Sequence, residues 1–153
     1  MKNECYKKKI GLVDSIFIST KKGAPREQIR EGFFKEGFGL VGDVNSGKTD
    51  KHVVILGLES REQIEKHGKE GLCFKRFHET IRTKNIELYR LTVGTKIMIG
   101  ESIHEISYIG KRCFDECELV RKNSKCLLSS QVVFTKVING STIRVGDTIQ
   151  VYF

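Results

Sequence analysis

Short stretches of apolar and β-branched residues recur along the chain and predict a protein built mainly from β-strands. The run His52–Leu58 is almost continuously apolar, which is typical of a strand buried on both faces. Fifteen glycines and a single proline predict tight turns between short strands. The predicted strands are Ile10–Ser19, a weaker Ile29–Phe38, His52–Leu58, Phe77–Arg82, Lys96–Ile99, Ser102–Ile109, Gln131–Val137 and Thr148–Phe153.

Only two segments predict helices. Ser60 is a candidate N-cap, Gln63 completes a capping box three residues later, and Gly68 would end the helix. A second short helix is predicted over Cys113–Lys122, where Cys113 and Cys117 fall on one face. Many short strands with turns between them favour a closed barrel or a sandwich, and no alternation of strand, helix and strand is evident.

Length and charge narrow the class of protein. A chain of 153 residues fits one domain, here 1–153, with a folded core from about residue 10 onwards. The net charge of +8 suits a small phosphorylated ligand, an anionic surface or nucleic acid. The basic residues form no single stripe and do not alternate with aromatic residues, so nucleic acid is the less favoured partner.

The cysteines and the first residues of the chain indicate the cellular compartment in which the protein is expected. The chain has five cysteines, and its first residues lack the apolar run of a signal peptide. No stretch approaches the ~18 apolar residues of a membrane helix, so no membrane association is predicted. We therefore expect a cytoplasmic protein with reduced thiols, where clustered cysteines are more often reactive or metal-bound than disulfide-bonded.

The sequence matches one nucleotide-binding motif, but the structure predicted around it does not fit that motif. The segment 42–49, GDVNSGKT, matches the phosphate-binding loop G-x-x-x-x-G-K-T. That loop must open a helix, whereas here a strand is predicted to follow, so nucleotide hydrolysis is not favoured. A glycine-rich loop could still bind an anion through its backbone amides.

The second candidate is Cys113, which follows Lys111 and Arg112 and lies near a predicted helix start. Positive charge and the helix dipole both favour the thiolate, which can attack, bind a soft metal or carry a persulfide. The alternative is that Cys113 and Cys117 merely pack in the interior. A zinc site formed with Cys126 would have three ligands, whereas structural zinc takes four.

The segment 110–149, GKRCFDECELVRKNSKCLLSSQVVFTKVINGSTIRVGDTI, resembles the end of a MOSC domain, named for the C-terminal domain of molybdenum cofactor sulfurase. The segment 39–47, GLVGDVNSG, resembles that family's G-x-x-G-D-x-H-x-G loop. The segment 77–81, FHETI, resembles its F-x-E-N-I motif. The similarity spans about residues 10–153 and is greatest to short, stand-alone bacterial members.

The resemblance implies a mostly β fold, a small closed antiparallel β-barrel with a few short helices. It implies that Cys113 is the working residue, as a persulfide carrier or a molybdenum ligand. The implied cofactor is molybdopterin, whose anionic phosphate would meet Lys111 and Arg112 by charge. The further cofactor-binding residues that it implies are Gly42, Asp43, Asn45, Glu79 and Thr80.

Some family positions differ here. Asn45 and Phe114 stand where the family has histidines, and Thr80 replaces an asparagine. Loss of two possible general bases affects a carrier or cofactor-binding domain less than a proton-transfer enzyme. The leading hypothesis is a cofactor-binding or sulfur-carrier domain that works with a sulfur donor, a cofactor-synthesis protein or a redox partner. The alternatives are a molybdenum-dependent oxidoreductase acting on N-hydroxylated compounds and a basic nucleic-acid-binding module.

Overall fold

The computed structural model describes residues 10–47, 50–67, 79–110 and 127–152. Eleven strands and two α-helices lie within these ranges, with one 3-10 turn at Leu88–Arg90. The strands are β1 (Gly11–Ile18), β2 (Glu27–Ile29), β3 (Glu31–Lys35), β4 (Gly39–Leu40), β5 (Val53–Gly57), β6 (Ile81–Lys84), β7 (Lys96–Ile99), β8 (Ser102–Ile109), β9 (Val133–Asn139), β10 (Ser141–Arg144) and β11 (Thr148–Val151). The helices are α1 (Leu58–His67) and α2 (Leu127–Gln131).

Seven strands close into a barrel. Their order is β11, β7, β8, β9, β5, β6 and β1, and β1 pairs back with β11. Strand β2 extends the sheet beyond β1, and a separate three-stranded sheet has the order β10, β3, β4. The apolar side chains that point inward from the barrel strands are Ile and Val, including Ile16, Ile55, Ile97 and Ile149, all of them buried. Inward-facing apolar side chains thus form one continuous core.

The predicted fold class is confirmed, and most predicted strands agree with the structure. Strands β7 and β8 have the predicted bounds, and β1 lies within Ile10–Ser19. Within the weaker segment Ile29–Phe38 the structure has β3, while β2 lies almost entirely before it and shares only Ile29. Gly94 and Gly146 precede β7 and β11 with φ of 97° and 95°, values that favour glycine. These two strands pair with each other, so two neighbouring strands of the barrel each begin after a similar glycine turn.

Two sequence predictions are wrong. Ser60 is not an N-cap, because α1 begins two residues earlier at Leu58, and the Ser60 hydroxyl instead donates a hydrogen bond to Gln131 Oε1. The expectation of no strand–helix–strand unit also fails, because β5 and β6 pair in parallel with α1 between them. The barrel is therefore antiparallel except at this pair. The predicted helix at Cys113–Lys122 lies outside the described residues.

Candidate functional site

A cavity of about 420 Å³ lies against β1, β5 and β9. Its base is formed by outward-facing residues of the barrel, including Phe17, Val54 and Phe134. The loop after β4 and the residues just before β6 form its sides. The described lining residues are Phe17, Ser19, Arg26, Asp43, Asn45, Lys51, Val54, Glu79, Thr80 and Phe134. The volume falls within the range of ordinary small-molecule sites.

A buried carboxylate surrounded by arginines lies beside this cavity. Glu79 is 1% exposed. Arg61 donates from Nε to Glu79 Oε2 at 2.6 Å and from Nη2 to Oε1 at 2.7 Å. Arg82 Nε donates to Oε2 at 2.9 Å, and Arg26 Nη1 donates to the Glu79 carbonyl at 2.8 Å. Arg61 therefore binds the Glu79 carboxylate in the bidentate geometry, which is the strong form of an arginine–carboxylate interaction.

The charges in this cluster do not cancel. Burial alone would raise the pKa of the Glu79 carboxyl, but the hydrogen bonds and charge of Arg61, with the charge of Arg82, outweigh it and lower that pKa. Burial lowers the pKa of Arg26, and the attraction of Glu79 partly offsets this effect. Arginine remains protonated in proteins, so these four described groups, three guanidinium groups and one carboxylate, carry a net charge of +2.

Aromatic rings hold the positive groups in position. The guanidinium carbons of Arg26 and Arg82 lie 4.2 Å and 4.8 Å from the centroid of the Phe17 ring. Lys51 Nζ lies 4.8 Å from the centroid of Tyr108 and 4.9 Å from that of Phe134. Such contacts restrain a cation without neutralising its charge.

The loop after β4 is shaped by Asp43. Its Oδ1 accepts from Ser19 N at 2.8 Å and its Oδ2 accepts from Asn45 N at 3.0 Å. The amides of residues 43, 44, 46 and 47 donate to backbone carbonyls. The amides of residues 43–47 are therefore all engaged within the protein. The expectation that this loop binds an anion through its backbone is wrong for these amides, and the phosphate-loop match is accidental.

Four of the predicted cofactor-binding residues line the same cavity, namely Asp43, Asn45, Glu79 and Thr80. Their roles differ from one another. The Glu79 carboxylate is occupied by arginines, and Asp43 is occupied by backbone amides, so both position other groups. Thr80 N donates to Val54 O at 2.7 Å, which joins this segment to β5. Gly42 is exposed and precedes Asp43 in the loop.

The predicted residues Lys111, Arg112 and Cys113 lie outside the described residues, as do the other four cysteines. In the part of the chain that is described, no group of three or more His, Cys, Asp or Glu side chains is arranged to hold a metal ion. Neither described helix has the length and apolar character needed to cross a membrane.

The sequence analysis missed Arg26, Arg61, Arg82 and Lys51. A local signal exists for Arg82 alone, which follows Glu79 at the i,i+3 spacing. Arg61 and Arg26 are 18 and 53 residues from Glu79 in the chain, and only the tertiary fold brings them together.

Comparison with known proteins identifies the fold but no family. No family model matches the chain. No curated protein matches it either. The solved structure of YuaD from Bacillus subtilis is similar with a TM-score of 0.70 at 15% identity, covering 95% of this chain and 97% of YuaD. YiiM from Geobacillus stearothermophilus gives 0.65 at 12% identity, covering 94% and 75% of the two chains.

YiiM from Escherichia coli gives a TM-score of 0.62 at 13% identity, covering 93% of this chain and 70% of that one. At these identities the likeness concerns the fold alone. The fold is MOSC-like, in agreement with the sequence resemblance.

Proposed function

We propose that this protein binds the phosphate-bearing pterin of the molybdenum cofactor in the cavity beside Glu79, and that Cys113 acts as its molybdenum ligand or as a sulfur carrier. The observation that carries the proposal is the surplus of positive charge beside this cavity. Arg26 and Lys51 line the cavity, while Arg61 and Arg82 contact the same buried carboxylate.

The lining fits an anionic aromatic ligand. Arg26 is only 17% exposed, so its guanidinium group is largely desolvated and interacts more strongly with a phosphate than a surface arginine does. Phe17 and Phe134 offer ring surface next to the two cations. In this arrangement the arginine and lysine would hold the phosphate, and the aromatic rings would pack against the pterin.

Cys113 follows β8 by four residues, and Tyr108 near the end of β8 pairs with Phe134 of the cavity base. Lys111 and Arg112 precede the cysteine and favour its thiolate by charge. As a carrier, the thiolate would attack the terminal sulfur of a donor persulfide. A new S–S bond would form at Cys113, and the remaining donor sulfur would leave as a thiolate.

The bound cofactor would supply molybdenum redox and sulfur chemistry, and this chain would supply binding and orientation. A carrier role fits the absence of histidine at positions 45 and 114, because a carrier depends less on a general base than a proton-transfer enzyme does. We place the protein in the cytoplasm, with a sulfur donor, a cofactor-synthesis protein or a redox partner.

The test is metal and pterin analysis of protein purified from a molybdate-supplied, cofactor-competent host. We expect molybdenum and pterin in the wild type, loss of molybdenum in Cys113→Ala, and a pterin content about tenfold lower in Arg26→Ala. Arg144→Ala is the matched control, because Arg144 is 60% exposed and pairs with the equally exposed Glu31. That variant should retain both components.

A wild type without molybdenum or pterin, and without persulfide on Cys113 after incubation with a sulfur donor, would contradict the proposal. Molybdenum together with reductase activity on N-hydroxylated compounds would identify the oxidoreductase alternative instead. Thermal unfolding of each variant shows whether a loss of ligand reflects a loss of fold.

A further inference from the structure

A second cavity, of about 410 Å³, opens at one end of the barrel. Its apolar floor includes Ile55, Leu88 and Val133, which are members of the buried core. Helix α1 forms one side, through Glu59, Ser60 and Gln63. A ligand that enters this cavity would therefore contact side chains that belong to the buried core.

The described charged residues at the rim of this cavity are acidic, whereas the first cavity is also lined by Arg26 and Lys51. Two carboxylates, Glu59 and Glu87, line the second cavity, and no lysine or arginine is among its described lining residues. Glu87 is already paired, since Arg90 Nε donates to its Oε1 at 2.9 Å. Glu59 Oε2 accepts a hydrogen bond from Asn85 N at 2.8 Å, a neutral donor. The charge of Glu59 is thus not neutralised by that contact.

We propose that this cavity binds a small organic cation with an apolar body, of the alkylammonium class. The ammonium group would pair with Glu59, and the alkyl chain would cover Ile55, Leu88 and Val133. Removal of that chain from water is the main driving force, and the carboxylate selects the charged head group. The amide side chains of Gln63 and Gln131, also on the lining, add polar contacts at the rim.

The two cavities share elements but no lining residues. On β5, Val54 lines the first cavity and Ile55 lines the second, because successive side chains of a strand point to opposite faces. On α1, Glu59 lines the second cavity, whereas Arg61 binds Glu79 beside the first. A ligand in the second cavity therefore has its own recognition chemistry.

Gly57 offers a way to close the second cavity without refolding the barrel. A Cβ atom at this position would lie 3.4 Å from Glu59 Oε1 and 3.7 Å from both Ser60 Oγ and Thr83 Oγ1. These are ordinary contact distances, and all three residues line the cavity. Gly57→Val therefore places a branched side chain in the space that the ligand would take, on a strand that accepts valine.

The experiment is an NMR titration of the full chain with hexylammonium and with 1-hexanol, which share a tail and differ in charge. We expect shifts at the amides of Gly57 and Asn85, and about fivefold tighter binding of hexylammonium than of hexanol. Glu59→Gln should remove that preference while keeping the acceptor for Asn85 N. Gly57→Val should abolish binding of both probes.

Glu101→Gln is the charge control, because Glu101 is exposed in the turn between β7 and β8, and it should leave the preference unchanged. Equal affinity of the wild type for the two probes would overturn the proposal. So would absence of binding up to about 10 mM, or an unchanged preference in Glu59→Gln. The last result remains decisive even if Gly57→Val fails to fold.

Discussion

Two ionisable side chains lie equally deep in this protein and have opposite charge states. Glu79 is 1% exposed and His104 is 0% exposed. Glu79 is held ionised by hydrogen bonds from arginines. Burial lowers the pKa of His104 to about 3, with a smaller contribution from His52, so its ring is neutral near pH 7.

The partners explain the difference. The His104 nitrogens hydrogen-bond the hydroxyls of Ser102 and Thr135, at 2.9 Å and 3.0 Å, and a hydroxyl can either donate or accept. A neutral ring is thereby satisfied without any charge. Glu79 has cationic donors instead, in excess of what one carboxylate can neutralise.

His104 is a structural buried group, whereas Glu79 belongs to a candidate site. His104 packs inside the barrel, with its ring centroid 6.0 Å from that of Phe34, and lines neither of the two cavities described above. Glu79 borders a cavity that Arg26 and Lys51 also line. Depth of burial is the same in both cases, so the surplus charge next to open space is what indicates ligand binding.

The largest effect is expected for Glu79→Gln. Loss of the carboxylate removes the negative charge that three guanidinium groups share, so the free energy of unfolding should fall by about 3 to 5 kcal/mol. Chemical denaturation at pH 7 measures this loss. The lowered pKa of Glu79 adds a second expectation: its stabilisation is present above pH ~4.5 and is lost as the pH falls through the lower, native value.

Glu31→Gln is the matched control. Glu31 also pairs with an arginine, at 3.1 Å, but both partners are 60% exposed, so the change should cost at most about 0.5 kcal/mol. Equal losses in the free energy of unfolding for Glu79→Gln and Glu31→Gln would show that the Glu79 cluster contributes no more than surface ion pairs do.

The strands were largely predictable because alternation and glycine turns are local properties. Lys96–Ile99 and Ser102–Ile109 have the predicted bounds for that reason. The start of α1 was not predictable from Ser60, since its hydroxyl is engaged by Gln131, 71 residues further along the chain. The parallel pairing of β5 with β6 likewise depends on where α1 packs, which no local pattern encodes.

Some residues of the candidate site could likewise be predicted from the sequence, and others could not. Asp43, Asn45, Glu79 and Thr80 could be named in advance because each lies in a segment with a family resemblance. Arg26 and Arg61 could not, because their only relation to Glu79 is spatial. The charge that makes the cavity a candidate site therefore comes mainly from residues that the sequence alone left unmarked.

The second largest expected effect is a loss of stability at acid pH that is caused by His104. Its native pKa of about 3 lies below the ordinary value of 6.5, so the unfolded chain binds a proton that the native state does not. Stability must fall as the pH drops from 6.5 towards 3, and between pH 8 and pH 5 the loss should be about 2 kcal/mol. His104→Gln keeps a donor and an acceptor for Ser102 and Thr135 but cannot titrate.

The measurement is denaturant unfolding at several pH values in this interval, above the range in which carboxylates protonate. The variant should show a lower stability at pH 8 but a flatter pH dependence. A variant with the same slope as the wild type would mean that another group causes the acid sensitivity, and that His104 is not the neutral counterpart of Glu79.

The smallest effect is expected for the ring that holds the arginines. Phe17→Leu keeps an apolar side chain but removes the face that lies 4.2 Å from Arg26 and 4.8 Å from Arg82. Its cost in unfolding free energy should exceed that of Phe33→Leu by about 1 kcal/mol, since Phe33 is an exposed phenylalanine that tests loss of aromatic surface alone. If the two costs are equal, the ring contributes no attraction to the guanidinium groups. Of the two described residues, Glu79 rather than Phe17 would then be the one that positions the guanidinium groups and on which the binding geometry depends.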